Sequence, residues 1–143
     1  METTLNLVHY GASSYDSSKF DSIVNSELSS KPEGGLWACP IDTDNTWKDL
    51  DHGKDLSDNF QFTFSGELLT IESISDFFGL NWIENVMGQK VLNFEKLSAS
   101  YDAIYMDNAI VEQALELLDS SNINLYGWDC TCVVILNPST ITV

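Results

Sequence analysis

Residues 59–71 read NFQFTFSGELLTI, and the fold turns on them. Phe60, Phe62 and Phe64 alternate with Gln61, Thr63 and Ser65, the period of two that marks a half-buried strand. Ser65-Gly66-Glu67 then interrupts the alternation. A glycine inside a strand pattern marks either a bend or a turn into a second strand, here Leu68 to Ile71.

Toward the N-terminus, Asp42 to Asp58 carries six acids with Trp47 and Leu50 and reads as an exposed loop. Leu36 to Cys39 is a short strand, entered through Gly34-Gly35 and stopped by Pro40. Leu5 to Tyr10 is another, ending at Gly11. Between them, Asp16 to Asn25 places Phe20, Ile23 and Val24 at helical spacing, and a Ser-rich link follows to Pro32.

Toward the C-terminus, Ser73 to Leu80 is expected as a short helix with Ser73 as its cap and Asp76 at the third position. Asn93 to Ser100 is a second short helix, followed by a strand at Tyr101 to Tyr105. Asn108 to Leu118 is the clearest helix, with Ile110, Val111, Ala114, Leu115, Leu117 and Leu118 on one stripe. Asn122 to Tyr126 and Thr131 to Leu136 read as strands. The second is apolar on both faces, which predicts a central position in a sheet. The pattern as a whole is an α+β class: one compact domain over residues 1–143, with short-stranded sheets and interspersed helices.

The charge balance excludes whole classes of partner. Twenty-two acids face six lysines, arginine is absent, and the formal net charge is −16. Phosphate recognition relies on Lys and Arg, so neither direct nucleic-acid binding nor attachment to an anionic membrane is expected. A basic protein surface is the favoured class of partner. No apolar run approaches the roughly 20 residues of a membrane helix, and Met1 to Leu7 lacks the features of a signal peptide. The expectation is a cytoplasmic protein with Cys39, Cys130 and Cys132 as reduced thiols. The C-x-C pair lies in a strand-like run and matches no standard zinc spacing, so no metal is expected.

Familiar catalytic motifs are missing: there is no P-loop, no G-x-G-x-x-G, no G-x-S-x-G and no H-E-x-x-H. His52 sits among charges in DLDHGKD and reads as a solvated loop residue. His9 is the candidate of interest, at a strand end beside Gly11, Ser13 and Ser14. Its competing reading is a core histidine hydrogen-bonded to backbone. The aromatic set Phe77, Phe78, Trp82, Tyr126 and Trp128 reads as core, with Gly127 able to splay the aromatics on either side of it.

Four segments in order, LVHYGAS, GGLWA, SYDAIY and TCVVILNPSTI, resemble the ADP-ribosyltransferase fold of the diphtheria-toxin and poly(ADP-ribose) polymerase type. The HYG, GGLW and LYGWD segments are also similar to those of small phage and bacterial proteins. The resemblance implies an NAD-binding protein that modifies a host defence protein. By the same resemblance, His9 orients the nicotinamide-side ribose, and Gly11 lies near the glycine whose backbone holds the carboxamide. Trp37 stacks on the nicotinamide, and Gly35, with Gly34, gives it room. The family's catalytic glutamate aligns with Cys132, or with Thr131 after a slip of one residue, and neither is acidic. Asp129 is the nearest acid and becomes the candidate catalytic carboxylate, reaching the site only through a bulge.

The acidic run carries the alternative. Asp42, Asp44, Asp49, Asp51, Asp55 and Asp58 on one loop, with Trp47 as an apolar anchor, fit a non-enzymatic inhibitor. Such a protein mimics nucleic-acid phosphate and blocks the basic groove of a host nucleic-acid-binding protein, as anti-defence proteins of the anti-CRISPR kind do.

Overall fold

The strand at 59–71 does not turn back on itself. It bends, and its two halves pair with different strands. The computed structural model describes all residues except 1, 27–29, 42, 44, 45, 50–55, 78, 86, 122, 126, 127 and 129, with backbone alone at 47, 115 and 117–121. In chain order its strands are β1 (Glu2–Tyr10), β2 (Leu36–Pro40), β3 (Asn59–Ile71), β4 (Trp82–Glu84), β5 (Lys90–Leu92), β6 (Ala103–Met106), β7 (Cys132–Ile135) and β8 (Ile141–Thr142). The helices are α1 (Ile74–Phe77), α2 (Phe94–Leu97) and α3 (Asn108–Ser121).

The first part of β3 runs antiparallel to β1, from Tyr10 opposite Asn59 to Glu2 opposite Glu67. Beyond Gly66, Leu68 to Ile71 run parallel to β6. Because β3 reaches both, the ribbon β1-β2-β7-β6-β3 closes on itself, with β8 paired on the flank of β3 at Thr63 and Phe64. The result is a compact mixed α/β domain, mostly strand, built on a small barrel. β7 is central, between β2 and β6, and all four of its residues are buried, as a strand apolar on both faces requires.

Alternation sorts the side chains into two layers. Leu7, Ala38, Phe60, Phe62, Phe64, Ala103, Val133 and Ile135 form one cluster, inside the barrel. The small residues at 38 and 103 leave room for three phenylalanines, the size matching that a narrow barrel needs. Val8, Cys39, Ile104, Met106, Cys132 and Val134 alternate with them. On the outer side they join Ile110, Val111 and Ala114 of α3, together with Phe77, Leu92, Phe94 and Trp128. Cys39, Cys130 and Cys132 are all buried.

Asp76 accepts from the Glu72 and Ser73 N–H groups at 3.0 Å each, the reciprocal half of a capping box. These bonds hold its carboxyl below the ordinary value of 3.8. Asn93 caps α2, accepting from the Lys96 N–H at 3.2 Å. Two expectations differ from what is found. Residues 16–25 hold a single 3-10 turn, Ser17–Lys19, and not a helix. Val24 instead bridges Glu33, and the Asp21 carbonyl accepts from the Gly35 N–H at 3.3 Å. This chain-to-chain docking pins 21–24 in extended form, against the helical spacing. Ile123 makes one parallel bridge with Lys90 and no strand. No helix among the described residues is long and apolar enough to cross a membrane.

Candidate functional site

The double glycine at 34–35 is explained by neighbouring backbone. Both residues have positive φ, 81° and 77°, a conformation that favours glycine. A Cβ at Gly34 meets the Ser22 carbonyl and stands 2.7 Å from the Asp21 carbonyl. A Cβ at Gly35 stands 2.9 Å from the Ile135 carbonyl of β7. Residues 21–22 on one side and β7 on the other are what approach closely enough to need glycine.

The same entry to β2 forms one wall of a cleft at the barrel mouth. The cleft has a volume of about 460 Å³, within the range of small-molecule sites. His9, Gly35 and Phe60 line it from the strands, and Ser13, Tyr15 and Asp16 line it from the segment that follows β1. Gly11 turns the chain out of β1 with φ 116°, and its N–H donates to the Asp58 carbonyl at 2.8 Å. Asp58 itself also lines the cleft, as does Lys19.

His9 is fixed in orientation. Its ring packs on Phe60 with centroids 5.2 Å apart. Its Nδ1 lies 2.6 Å from the Trp37 carbonyl, which accepts, so Nδ1 carries the proton in the neutral ring. Nε2 is then left with its lone pair, on the side of Gly11, where a Cβ would stand 3.8 Å away. The residue is thus both a histidine hydrogen-bonded to backbone and a cleft residue.

Trp37 does not face His9 across the cleft. Its ring belongs to the outer layer. There it meets Trp128 edge-on at 4.6 Å, with the Lys31 ammonium 5.9 Å from its centroid. What Trp37 gives the cleft is the carbonyl that holds His9. Of the residues implied by the resemblance, His9 and Gly35 come together at the cleft, Gly11 lies beside His9, and the Trp37 ring lies on the opposite face of the sheet. Asp129 lies outside the described residues, as do Asp42, Asp44, Asp51, Asp55 and the Trp47 side chain. Asp49 and Asp58 are exposed. Asp49 accepts from the Thr46 N–H at 3.2 Å and closes the turn at Trp47–Asp49.

Tyr15, Phe60 and Asp16 were not candidates on sequence. Tyr15 packs on Phe60 at 5.9 Å. The adjacent Asp16 accepts from the Ser18 N–H at 3.0 Å and the Ser18 hydroxyl at 2.6 Å, and these bonds hold its carboxyl below the ordinary 3.8. The cleft therefore presents ionised acid at neutral pH. The readable signal for this segment was its Gly-Ala-Ser-Ser run directly after a strand; which aromatic it aims at the barrel depends on where β3 closes. Among the described residues no group of three metal-binding side chains is found. Comparison with known protein families, with characterised proteins and with solved structures finds no match.

Proposed function

We propose that the barrel-mouth cleft is a binding site for NAD, in keeping with an ADP-ribosyltransferase-like protein that acts on another protein. The observation that supports it is the oriented His9 ring: Nδ1 is tied to the Trp37 carbonyl, and Nε2 is left as an acceptor for a ribose hydroxyl. The acids of the cleft, Asp16 and Asp58, suit the cationic nicotinamide end of NAD. Among the described residues, Lys19 lines the cleft and is the cation that would offset the pyrophosphate. In this reading the aromatic neighbours of the ligand are Phe60 and Tyr15, with Trp37 acting through its carbonyl. Calorimetric titration with NAD, alongside release of free nicotinamide, tests it. The wild type is expected to bind saturably, and His9→Ala to weaken binding at least about tenfold, the loss of one good hydrogen bond. Equal binding by wild type and His9→Ala ends the reading.

A second reading rests on the net charge of −16 without arginine: an acidic inhibitor that occupies a basic groove on a partner. Its described carriers are the exposed Asp49 and Asp58. An oligolysine peptide serves as the probe. Binding is expected to fall steeply between 50 and 500 mM salt, as roughly 10 Å screening lengths shrink, and by about tenfold in Asp49→Lys/Asp58→Lys. Binding indifferent to both changes removes this reading. Asp58 belongs to the cleft as well, so one protein can do both.

A further inference from the structure

Tyr15 carries an anomaly that the cleft explains. Its ring packs against the barrel-interior cluster and forms part of the cleft wall beside His9 and Phe60. Its hydroxyl is buried, and among the described residues it is the one buried side-chain polar atom without a hydrogen-bond partner. Buried hydroxyls are nearly always paired, because a lone one forfeits its bonds to water and gains none in return. Strain of this kind collects at binding sites, where the missing partner arrives with the ligand. The segment carrying Tyr15 suits such a change. It leaves β1 through Gly11, which has positive φ, and runs over the mouth through three small residues, Ala12, Ser13 and Ser14.

The geometry points to Tyr15 as a gating and specificity residue of the cleft, whose O–H turns on ligand entry and donates to an oxygen acceptor of the ligand. This rests on the reading of the cleft as an NAD site. The donor state holds across the neutral range: burial first, and the charge of Asp16 second, raise the phenol above its ordinary value of 10.0. Paired with the Nε2 acceptor of His9, a Tyr15 donor selects a ligand that offers a hydroxyl next to an acceptor oxygen. A ribose diol has that pattern.

The test is Tyr15→Phe, with two readouts. Without ligand, the variant loses an unpaired buried hydroxyl and is expected to melt about 3 °C higher than the wild type. With NAD as the probe, it is expected to bind about tenfold more weakly. A merely structural tyrosine gives the reverse: lower or unchanged melting, and binding unaltered. Equal NAD binding by wild type and Tyr15→Phe overturns the role of Tyr15 and leaves the cleft reading standing. An unchanged or lower melting temperature overturns it independently of any ligand. Absence of NAD binding in the wild type overturns the cleft reading itself, and the role of Tyr15 with it.

Discussion

Trp128→Ala is expected to destabilise the protein by about 3–5 kcal/mol, the usual cost of emptying a buried tryptophan site. Trp128 is only 2% exposed and fills the outer layer against the edge of Trp37. Its indole N–H donates to the Ser30 carbonyl at 2.5 Å. Ser30 is fully buried; its hydroxyl donates to the Asn124 carbonyl and accepts from the Leu92 N–H at 3.0 Å. One indole thus fastens β2, through Trp37, to a buried serine that ties β5 to residue 124. Removing it opens a cavity, leaves a buried carbonyl without its donor, and frees the Trp37 ring whose backbone positions His9. A domain of this size has about 5–15 kcal/mol to lose, so urea unfolding shifts by a large part of the whole. Trp128→Phe keeps most of the volume and drops the N–H, and its cost is expected near 1–3 kcal/mol. A loss below about 1 kcal/mol in Trp128→Ala would falsify the keystone role.

That role was only half legible in the sequence. Apolar pattern assigned Trp128 to the core, and it assigned correctly the double-sided burial of β7 and, among the described side chains of α3, the buried Ile110, Val111 and Ala114; the side chains of Leu115, Leu117 and Leu118 lie outside the described residues. The reason is that those signals are local: period two, period 3.6, and a run with no polar face. Ser30 was read as part of a polar link, because a serine's burial depends on distant partners at Leu92, Asn124 and Trp128. The segment 16–25 was misread for the same reason. Its spacing is helical, but Gly34-Gly35 offers it backbone to dock on, and tertiary context overrides a weak propensity. The candidate site was legible at His9, a polar residue at a strand end followed by glycine and serines. Trp37 was assigned to the correct strand and to the wrong face. Alternation settles which residues share a side, and only barrel closure settles which side faces the cleft. Tyr15 and Phe60 meet across a gap of 45 residues, 15 to 60, and no spacing rule connects them.

Gly66→Ala is the second large effect, expected at about 2–3 kcal/mol, toward the upper end for overpacking. The residue sits where β3 leaves β1 and begins to run with β6. A Cβ there stands 2.6 Å from the Asp102 Oδ2, 2.9 Å from the Thr140 Cγ2 and 3.1 Å from the Asp102 Cβ. Asp102 cannot yield freely. Its Oδ2 accepts from the Glu67 N–H at 2.8 Å, its Oδ1 accepts from the Asn137 side-chain amide at 2.9 Å, and its own N–H donates to the Glu67 carbonyl at 2.8 Å. Its carbonyl in turn accepts from the N–H groups of Leu136 and Asn137, at 2.8 and 3.2 Å. One aspartate therefore fixes the bend of β3 to the start of β6 and the end of β7, and the barrel closes through it. A methyl group at 66 acts by pushing this carboxylate off the Glu67 N–H. The effect is steric and should depend on Asp102 being present. In an Asp102→Ala background, which itself costs about 1–2 kcal/mol in lost hydrogen bonds to the carboxylate, Gly66→Ala should cost about 1 kcal/mol less than in the wild type. A double-mutant cycle by urea unfolding reads that coupling directly. Strict additivity would mean that Thr140 and the backbone bear the clash, and that the bend does not depend on the aspartate.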